Sequence, residues 1–334
     1  MRIVPALVLT GVLALTGMAH AAIDPNLVAA AKASVVTINI NGNSNTTLDL
    51  PGLDFAGSQD ASPQKPHIRS SGSGFVIDQT LGLIVTADFV LENAADIYVQ
   101  TADGRGLAAT VVGRDALSGV AVLKVADTSL LALPFCPAPP HVGDDAFLIG
   151  NPYSLGILVT SGIVAGTDID VQDEDMSPLL VLDLVMHKGT AGGPVLSPQG
   201  CVTGMAVAQF GSTGYGGVGT LGMAIPAAQV KAISQTLITS GKITRGWIGI
   251  SLFEEDLTMS QVTPGSPADK AGLKAGDLIL SYDGIEGTTF DALRRHIAAK
   301  PLGSELVLKI KRFPNDDLTL TVPIVAAPED SGQR

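Results

Sequence analysis

The sequence has few aromatic residues, two cysteines and almost no clustered basic charge. Aromatic side chains make up 4% of 334 residues, so hydrophobic cores must be built from Val, Ile, Leu and Ala. Lys and Arg number 20 against 32 Asp and Glu, a net charge of −12, and the one basic run is Lys309-Ile310-Lys311-Arg312. Phosphate backbones would repel such a chain, which argues against a nucleic-acid partner. The 38 Gly and 20 Pro favour short strands joined by turns.

One long apolar run is present, at the N-terminus, and it has the pattern of an export signal. Met1-Arg2 supplies the positive end, Ile3 to Leu15 the apolar segment, and Ala19-His20-Ala21 a small-residue cleavage site. The segment is too short to span a bilayer comfortably, and no later segment reaches that length. We expect a mature protein that starts at Ala22, has no membrane span and resides in the periplasm or outside the cell.

Cys136 and Cys201 are the two cysteines. In an oxidising compartment they either form a disulfide bond or stay as buried free thiols, and the sequence leaves this choice open. Neither has metal-ligand spacing, and we expect no metal and no cofactor.

Two successive groups of about six short β-branched runs predict two barrels or sandwiches. The first group lies near residues 35–40, 74–77, 83–86, 97–100, 108–113 and 120–125, and the second near 146–150, 158–165, 179–185, 194–197, 202–209 and 222–225. The prolines between 134 and 140 separate the groups, since repeated proline blocks helices and central strands. Segment 41–70 lacks apolar periodicity and is predicted to be a long loop.

Two helices are predicted after these runs. Pro226 is placed to start one that ends before Gly241. The other runs from Phe290 to Ala299, within a third unit that extends from Arg245 to about Val325.

Six motifs that occur in order resemble one protein family. They are Ser71-Gly72-Ser73-Gly74-Phe75-Val76-Ile77, Ile84-Val85-Thr86, Val120-Ala121-Val122-Leu123-Lys124, Ile149-Gly150-Asn151-Pro152, Val159-Thr160-Ser161-Gly162-Ile163-Val164 and Ala224-Ile225-Pro226. The chain is similar to HtrA/DegP-type proteins, in which a trypsin-like protease unit precedes a PDZ domain. The resemblance implies a mainly β fold of two six-stranded barrels, with a cleft between them, followed by the PDZ domain. Combined with the runs above, it gives these bounds: 1–21 signal peptide, 22–138 first barrel, 139–243 second barrel and closing helix, 244–325 PDZ domain, and 326–334 tail.

The family's catalytic triad is replaced at all three positions. In this alignment the histidine corresponds to Phe89, the aspartate to Gly119, and the serine to Ala191 in the loop Gly189-Thr190-Ala191-Gly192-Gly193-Pro194. The chemistry needs an attacking hydroxyl, an imidazole to take its proton and a carboxylate to orient that imidazole. None of the three replacements supplies any of these groups.

A rearranged site is the alternative that keeps an enzyme. Thr190 adjoins the missing hydroxyl, His187 and Lys188 lie just upstream, and Asp88 neighbours the lost base. We favour the interpretation in which these are ordinary loop residues, because a base must come within hydrogen-bond reach of its nucleophile. A shift of the alignment restores no triad, since no histidine lies between His67 and His141.

The loop glycines are kept, which suits positive φ and close backbone approach. If the family geometry persists, the N–H groups of Gly189 and Ala191 still converge on a carbonyl oxygen and hold a peptide without cutting it. The barrel could also need this turn for its own sake. Met223 is predicted to lie beside the former specificity pocket, and Phe89 either lines an apolar groove or plugs the cleft.

The third unit carries a well-preserved PDZ signature. Trp247-Ile248-Gly249-Ile250 matches the family's carboxylate-binding loop, and Ile248, Ile250, Leu293 and Ile297 are candidates for its apolar pocket. Its alternative ligand is the chain's own protease-like unit.

The predicted function is therefore that of a secreted pseudoprotease that binds without cleaving, as a scaffold, chaperone-like protein or regulator. Periplasmic proteins or peptide C-termini are the expected partners. The alternatives are a serine- or threonine-type endopeptidase with a rearranged site, and a structural subunit in assemblies of an active relative. Oligomerisation, with itself or with other chains, stays open.

Overall fold

A computed structural model describes residues 24–41, 70–170, 178–210, 221–253, 256–286, 289–314 and 316–328. The predicted signal peptide, most of the predicted loop at 41–70 and the end of the predicted tail lie outside these residues.

The first six strands form a closed antiparallel barrel in the order β1-β2-β3-β6-β5-β4. They are β1 (Val35–Asn41), β2 (Ser70–Asp78), β3 (Leu83–Ala87), β4 (Asp96–Gln100), β5 (Gly106–Asp115) and β6 (Val120–Val125). All of β3 and most of β6 are buried, because β3 contacts the second barrel and β6 lies under a helix. Phe75 is the one aromatic residue among the largest fully buried side chains of the described chain, as the low aromatic content requires.

The next six strands close a second antiparallel barrel in the order β10-β11-β12-β9-β8-β7. They are β7 (Asp145–Gly150), β8 (Leu158–Ile169), β9 (Leu179–Asp183), β10 (Pro194–Leu196), β11 (Val202–Phe210) and β12 (Leu221–Pro226). The prediction of two six-stranded barrels is confirmed.

Two helices flank the barrels. Helix α1 (Pro25–Lys32) precedes β1 and was not expected from the sequence. Helix α2 (Ala227–Ser240) starts after Pro226 and ends at Gly241, which has a left-handed φ of 72°, as predicted. It buries Val230 and Leu237 against the barrels.

The segment that connects the two barrels is bound to the second barrel by a disulfide bond and two backbone hydrogen bonds. Cys136 and Cys201 form a disulfide bond, which settles the choice that the sequence left open. Beside it, the Cys136 N–H donates to the Val202 carbonyl at 2.9 Å, and the Val202 N–H donates to the Pro134 carbonyl at 2.8 Å.

The C-terminal unit has its own core and a four-stranded sheet in the order β17-β16-β18-β19. Its elements are β13 (Gly246–Trp247), β14 (Ile250–Leu252), β15 (Met259–Val262), α3 (Pro267–Lys270), β16 (Leu278–Tyr282), β17 (Ile285–Glu286), α4 (Phe290–Ala299), β18 (Glu305–Arg312), β19 (Asp316–Pro323) and β20 (Val325–Ala326). The predicted helix at 290–299 is present. Strand β20 pairs with β13, so the unit's backbone contacts continue past the predicted boundary at 325.

Arg245 links the start of the C-terminal unit to the first barrel. Its guanidinium binds both carboxylate oxygens of Asp115, at the end of β5, at 2.5 Å each. Burial alone would raise the pKa of Asp115, but hydrogen bonds from Arg245 and Ser118 lower it below its usual range.

Within the described ranges, no helix is long and apolar enough to cross a membrane.

Candidate functional site

The loop from Gly189 to Gly193 faces the junction of the two barrels, and Ser73 of β2 holds it there. The Ser73 hydroxyl donates to the Gly189 carbonyl at 2.7 Å, and the Ser73 N–H donates to the Ala191 carbonyl at 2.7 Å. Both carbonyls are therefore turned inward. This requires a left-handed φ of 98° at Gly189, a conformation that glycine adopts without strain.

The Lys188 carbonyl accepts the Tyr153 N–H at 2.9 Å and the Thr190 carbonyl accepts the Gly193 N–H at 3.0 Å, and in each trans peptide the N–H of the following residue, Gly189 or Ala191, points to the opposite side. Among the described residues, the N–H groups of Gly189 and Ala191 have no described acceptor, whereas the Thr190 N–H donates to His187 and the Gly193 N–H to Thr190. The pair predicted to converge on a carbonyl oxygen therefore has no partner among the described hydrogen bonds.

Asn151, which follows β7 of the second barrel, makes hydrogen bonds to Ser73 and Thr37 of the first barrel. Its N–H donates to the Ser73 hydroxyl at 2.9 Å, and its side-chain amide donates to the Thr37 hydroxyl at 2.6 Å. Both Ser73 and Asn151 are buried. They belong to sequence motifs of the family, but the sequence alone gave no sign of their shared role.

The loop glycines also meet a steric requirement of the fold. A Cβ atom on Gly192, whose φ is 83°, would lie 2.1 Å from the Ser73 carbonyl oxygen, and one on Gly193 would lie 2.4 Å from the Ile149 carbonyl oxygen. The barrels therefore need these glycines whether or not the loop binds anything.

Phe89 projects from a 3₁₀ turn, Asp88–Leu91, that is otherwise buried. Val90 packs against Gly72 and Leu91 lies in the core, while 47% of Phe89 stays exposed. Among the described residues the ring is therefore partly exposed.

Gly119 and Asp88 fix the position of this turn. Gly119 has a φ of 68°, and its carbonyl accepts the Asp88 N–H at 2.9 Å. The buried Asp88 carboxylate accepts two hydrogen bonds from Arg114, at 2.7 and 2.9 Å, and it raises the pKa of that guanidinium. The turn also lies beside the loop, because a Cβ on Gly192 would come within 2.9 Å of the Ala87 nitrogen. The segments that carry Phe89, Gly119 and Ala191, the three predicted triad positions, are therefore neighbours in the fold.

The groups of the alternative, rearranged site make other contacts. The Thr190 hydroxyl is buried and donates to the His187 backbone carbonyl at 2.7 Å. The His187 ring lies against the Tyr153 ring, with 5.8 Å between centroids, and Asp88 is paired with Arg114. In the described part of the cleft, no imidazole nitrogen contacts a hydroxyl group.

Met223 lies in β12 and is buried in the core of the barrels. Its neighbour Gly222 contacts Met186, whose sulfur would lie 2.8 Å from a Cβ at that position. Two buried methionines, Met186 and Met223, therefore pack at or beside neighbouring positions of β12.

The PDZ loop shares the backbone pattern of the cleft loop. Gly249 has a φ of 87°, its carbonyl accepts the Thr263 N–H at 2.9 Å, and the Ile248 carbonyl accepts the Ala268 N–H at 2.9 Å. Within the described chain, the Ile248 and Gly249 N–H groups have no described acceptor. Trp247 lies just before them, half-buried on β13.

The predicted pocket residues divide into two sets. Ile248, Leu293 and Ile297 are buried in the core of the C-terminal unit, whereas Ile250, on β14, is partly exposed. In the described structure β14 pairs only with β15, so its other edge is open to an added strand. Among the described residues, no cluster of three His, Cys, Asp or Glu could hold a metal ion.

Comparisons with known proteins place the chain in a family context. A family model for a trypsin-like peptidase domain matches residues 72–205, and a PDZ domain model matches residues 258–312. The periplasmic serine endoprotease DegP of Salmonella typhimurium is 32% identical over 323 residues, which cover 84% of this chain and 67% of that protein. A probable periplasmic DegP-like serine endoprotease of Chlamydia trachomatis is 33% identical over 80% of this chain and 57% of its own length.

Comparison with solved structures also finds serine endoproteases of this kind. The serine endoprotease from Yersinia pestis superposes with a TM-score of 0.70 at 28% identity, covering 90% of this chain and 97% of that one. A form of the HtrA-type protease AlgW, solved with a decapeptide, gives a TM-score of 0.74 at 27% identity, covering 92% and 99% of the two chains.

Proposed function

This chain belongs to the HtrA/DegP family of trypsin-like serine proteases with a PDZ domain, and within that family we propose that it binds peptides without cleaving them. One observation carries the proposal. Phe89, Gly119 and Ala191 stand at the three positions where the family resemblance places catalytic side chains, while the N–H groups of Gly189 and Ala191 have no acceptor among the described hydrogen bonds.

Loss of the triad removes the reaction but leaves the binding geometry. In a serine protease that has the same triad on an unrelated fold, removing the nucleophile or the base alone lowers turnover about a millionfold. The N–H groups of Gly189 and Ala191 need no side chain to donate hydrogen bonds to a peptide carbonyl. The exposed Phe89 ring adds apolar surface where the family has a polar base. These features favour extended apolar peptides as ligands of the cleft.

The PDZ unit supplies a second binding site in this proposal. The open edge of β14 and the amides at Gly249 suit a peptide C-terminus that adds a strand to the sheet. Two peptide sites on one chain suit a scaffold, chaperone-like or regulatory protein, because partners engaged at both sites gain from effective concentration.

The proposed location is the periplasm, after cleavage of the signal peptide at residues 1–21. The names of the two DegP relatives support this location, and so does the disulfide bond, since such bonds persist in oxidising compartments. Cell fractionation and N-terminal sequencing of the exported protein test it, with Ala22 as the expected first residue.

The decisive test of the proposal is an activity assay with a covalent probe. Purified mature protein is incubated with fluorescent casein and with a fluorophosphonate probe, beside the Salmonella relative as positive control. We expect no cleavage and no labelling above a heat-denatured sample. Cleavage that disappears in a Thr190→Val variant would overturn the proposal in favour of the rearranged endopeptidase.

Peptide binding is tested by fluorescence anisotropy with an unfolded apolar peptide. Phe89→Asp places a charge on the apolar surface of the cleft, and we expect it to lower affinity at the cleft about tenfold. Gly249→Val is the PDZ counterpart, because its Cβ would lie 2.3 Å from the Ser266 Cβ and distort the loop. If Phe89→Asp leaves binding unchanged while Gly249→Val abolishes it, only the PDZ part of the proposal survives.

A further inference from the structure

Two ion pairs of the described chain join the C-terminal unit to the barrels. Arg245, which directly precedes β13, binds Asp115 at the end of β5, and only 18% and 9% of these two side chains are exposed. Arg295 of α4 binds Asp170, which follows β8, at 2.9 Å, and 63% of the Asp170 side chain is exposed. The first pair is therefore mostly buried, and it alone of the two lies against the turn that leads to Gly119.

Asp115 organises this turn, which joins β5 to β6. Its carboxylate accepts the Ser118 N–H at 3.0 Å, and its backbone carbonyl accepts the Ser118 hydroxyl at 3.3 Å. The Gly119 N–H donates to the Ala116 carbonyl at 3.2 Å. The carboxylate that Arg245 binds is thus also the acceptor that caps the turn, so a change at Arg245 acts directly on the turn.

The two ends of this turn hold Asp88, the residue before Phe89. At one end, Arg114 donates two hydrogen bonds to the buried Asp88 carboxylate, at 2.7 and 2.9 Å. At the other end, the Gly119 carbonyl accepts the Asp88 N–H at 2.9 Å. Both the side chain and the backbone of Asp88 are therefore bound by the residues that flank the β5–β6 turn.

The backbone of Arg245 belongs to the C-terminal unit. Its carbonyl accepts the Ala327 N–H at 3.1 Å, and the next residue, Gly246, pairs with Ala326 in the sheet of β13 and β20. A bidentate pair between a guanidinium and a carboxylate fixes the orientation of its partners as well as their distance. Arg245 therefore connects the β13–β20 sheet to the turn that holds Asp88.

We propose that Arg245 is a positioning residue for the peptide cleft: by binding Asp115 it fixes the β5–β6 turn, and thereby the orientation in which the Asp88–Leu91 turn presents Phe89. The effect on ligands rests on the proposed function, whereas the effect on the turn does not. A ring whose turn is fixed in advance binds a peptide at a lower cost in ordering than a ring on a mobile turn. The coupling is local, because it acts on two turns and leaves the hydrogen bonds between barrel strands intact.

The first experiment measures the turn itself. Arg245→Gln removes the guanidinium, and Arg295→Gln is the matched control, because it removes the other ion pair between the same two units. Residue-resolved hydrogen exchange of the Asp88 amide reports its bond to Gly119. We expect this amide to exchange about tenfold faster in Arg245→Gln and at the wild-type rate in Arg295→Gln. Arg245→Lys should restore part of the protection, since an ammonium group keeps the charge but not the bidentate geometry.

The second experiment measures the ligand. An apolar peptide with an amidated C-terminus, which a carboxylate-binding loop disfavours, is titrated by fluorescence anisotropy in a double-mutant cycle of Arg245→Gln and Phe89→Asp. We expect Arg245→Gln to lower the affinity about fivefold in the wild-type background and to have no effect in the Phe89→Asp background. Trp247 fluorescence verifies that the C-terminal unit is folded in each variant.

The outcomes separate this inference from the function on which it partly rests. If the Asp88 amide exchanges equally in the wild type and in Arg245→Gln, or if Arg295→Gln has the same effect, the inference is wrong while peptide binding stands. Faster exchange with unchanged affinity, or an equal loss of affinity in both Phe89 backgrounds, also overturns it. If the wild type and Phe89→Asp bind the peptide equally, cleft binding itself fails, and the exchange rates alone decide whether Arg245 positions the turn.

Discussion

The loop at Gly189 and the loop at Gly249 share one backbone plan but differ in what surrounds them. In each, a glycine with a φ of roughly 90° lies among carbonyls that accept hydrogen bonds from the body of the unit. The donors are Ser73 in one case and, in the other, Thr263, which follows β15, and Ala268 of α3. The PDZ loop matches its family sequence signature, whereas beside the cleft loop the proposed alignment finds Phe89, Gly119 and Ala191 at the three triad positions. The backbone of such a site can therefore persist independently of its chemistry.

The reason lies in how each loop is held. Gly192 and Gly193 leave no room for a Cβ, so the fold requires them even when no reaction does. Phe89, by contrast, is an exposed side chain on a turn fixed by its buried neighbours, and a change there costs the barrel little. Four predictions test whether, apart from the Arg245 contact, the stability and ligand binding of the barrels are independent of those of the PDZ unit, as this comparison implies.

The largest effect is expected in the PDZ unit at Asp277. This carboxylate is 1% exposed and accepts hydrogen bonds from Arg312 Nε and Nη2, both at 2.7 Å, and from the Lys274 N–H at 2.8 Å. Because Asp277→Ala leaves the guanidinium without its buried partner, we expect the unit to lose about 4 kcal/mol of unfolding free energy. Trp247 is the only tryptophan of the chain, so its fluorescence during urea unfolding reports this unit. Asp317→Ala, at an exposed position opposite Lys311, is the control, and barrel amides that lost hydrogen-exchange protection would contradict the separation.

The next effect is expected in the barrels, at the disulfide bond. The bond joins cysteines 65 residues apart, and replacing both by alanine frees that loop in the unfolded state. We expect the barrels to lose about 3 kcal/mol of stability, measured by hydrogen exchange of β10 and β11 amides. The Trp247 transition should not move. A shift of that transition would show that the PDZ unit depends on the barrels.

A smaller effect is expected at Ser73, where structure and binding meet. Ser73→Ala removes the donor to the Gly189 carbonyl and the acceptor of the Asn151 N–H, and both groups are buried. We expect a loss of about 2 kcal/mol in barrel stability. Peptide affinity at the cleft should also fall, because the loop amides lose their orientation. Ser161→Ala, an exposed serine of β8, is the control; unchanged peptide affinity in Ser73→Ala would show that the amides are oriented by other contacts.

Local pattern was enough to predict most of the fold. All twelve barrel strands and the helices α2 and α4 follow apolar periodicity and turn residues that the sequence displays. Pairing lengthened some of them: β2 begins at Ser70, before its apolar residues, because Ser71 pairs with Asn39 of β1. Helix α1 was missed, although the Asp24 side chain caps it and Pro25 starts it, a signature that the sequence contains.

The site was predictable only in part, for a physical reason. The glycine loop and the triad positions are local motifs, so the resemblance identified them. Ser73 acts on a carbonyl 116 residues away, and the disulfide depends on Cα atoms that come within 4.9 Å only after folding. No spacing along the chain encodes such contacts.

The smallest effect is expected at Asp283, and it tests the PDZ unit by pH. Burial raises the pKa of this carboxyl group, but hydrogen bonds from His296, Lys300 and the Val307 N–H outweigh it and lower the pKa from 3.8 to about 2. Because the folded pKa lies below the unfolded one, the carboxylate stabilises the unit above pH 4 and loses this contribution as the pH falls toward 2. Since Asp283 and its partners lie near the surface, we expect a contribution of only about 1 kcal/mol to the free energy of unfolding. At pH 5 the wild type should be more stable than Asp283→Asn by this amount, and the difference should vanish near pH 2. Trp247 fluorescence provides the measurement. An equal difference at both pH values would show that Asp283 acts through its shape and not its charge.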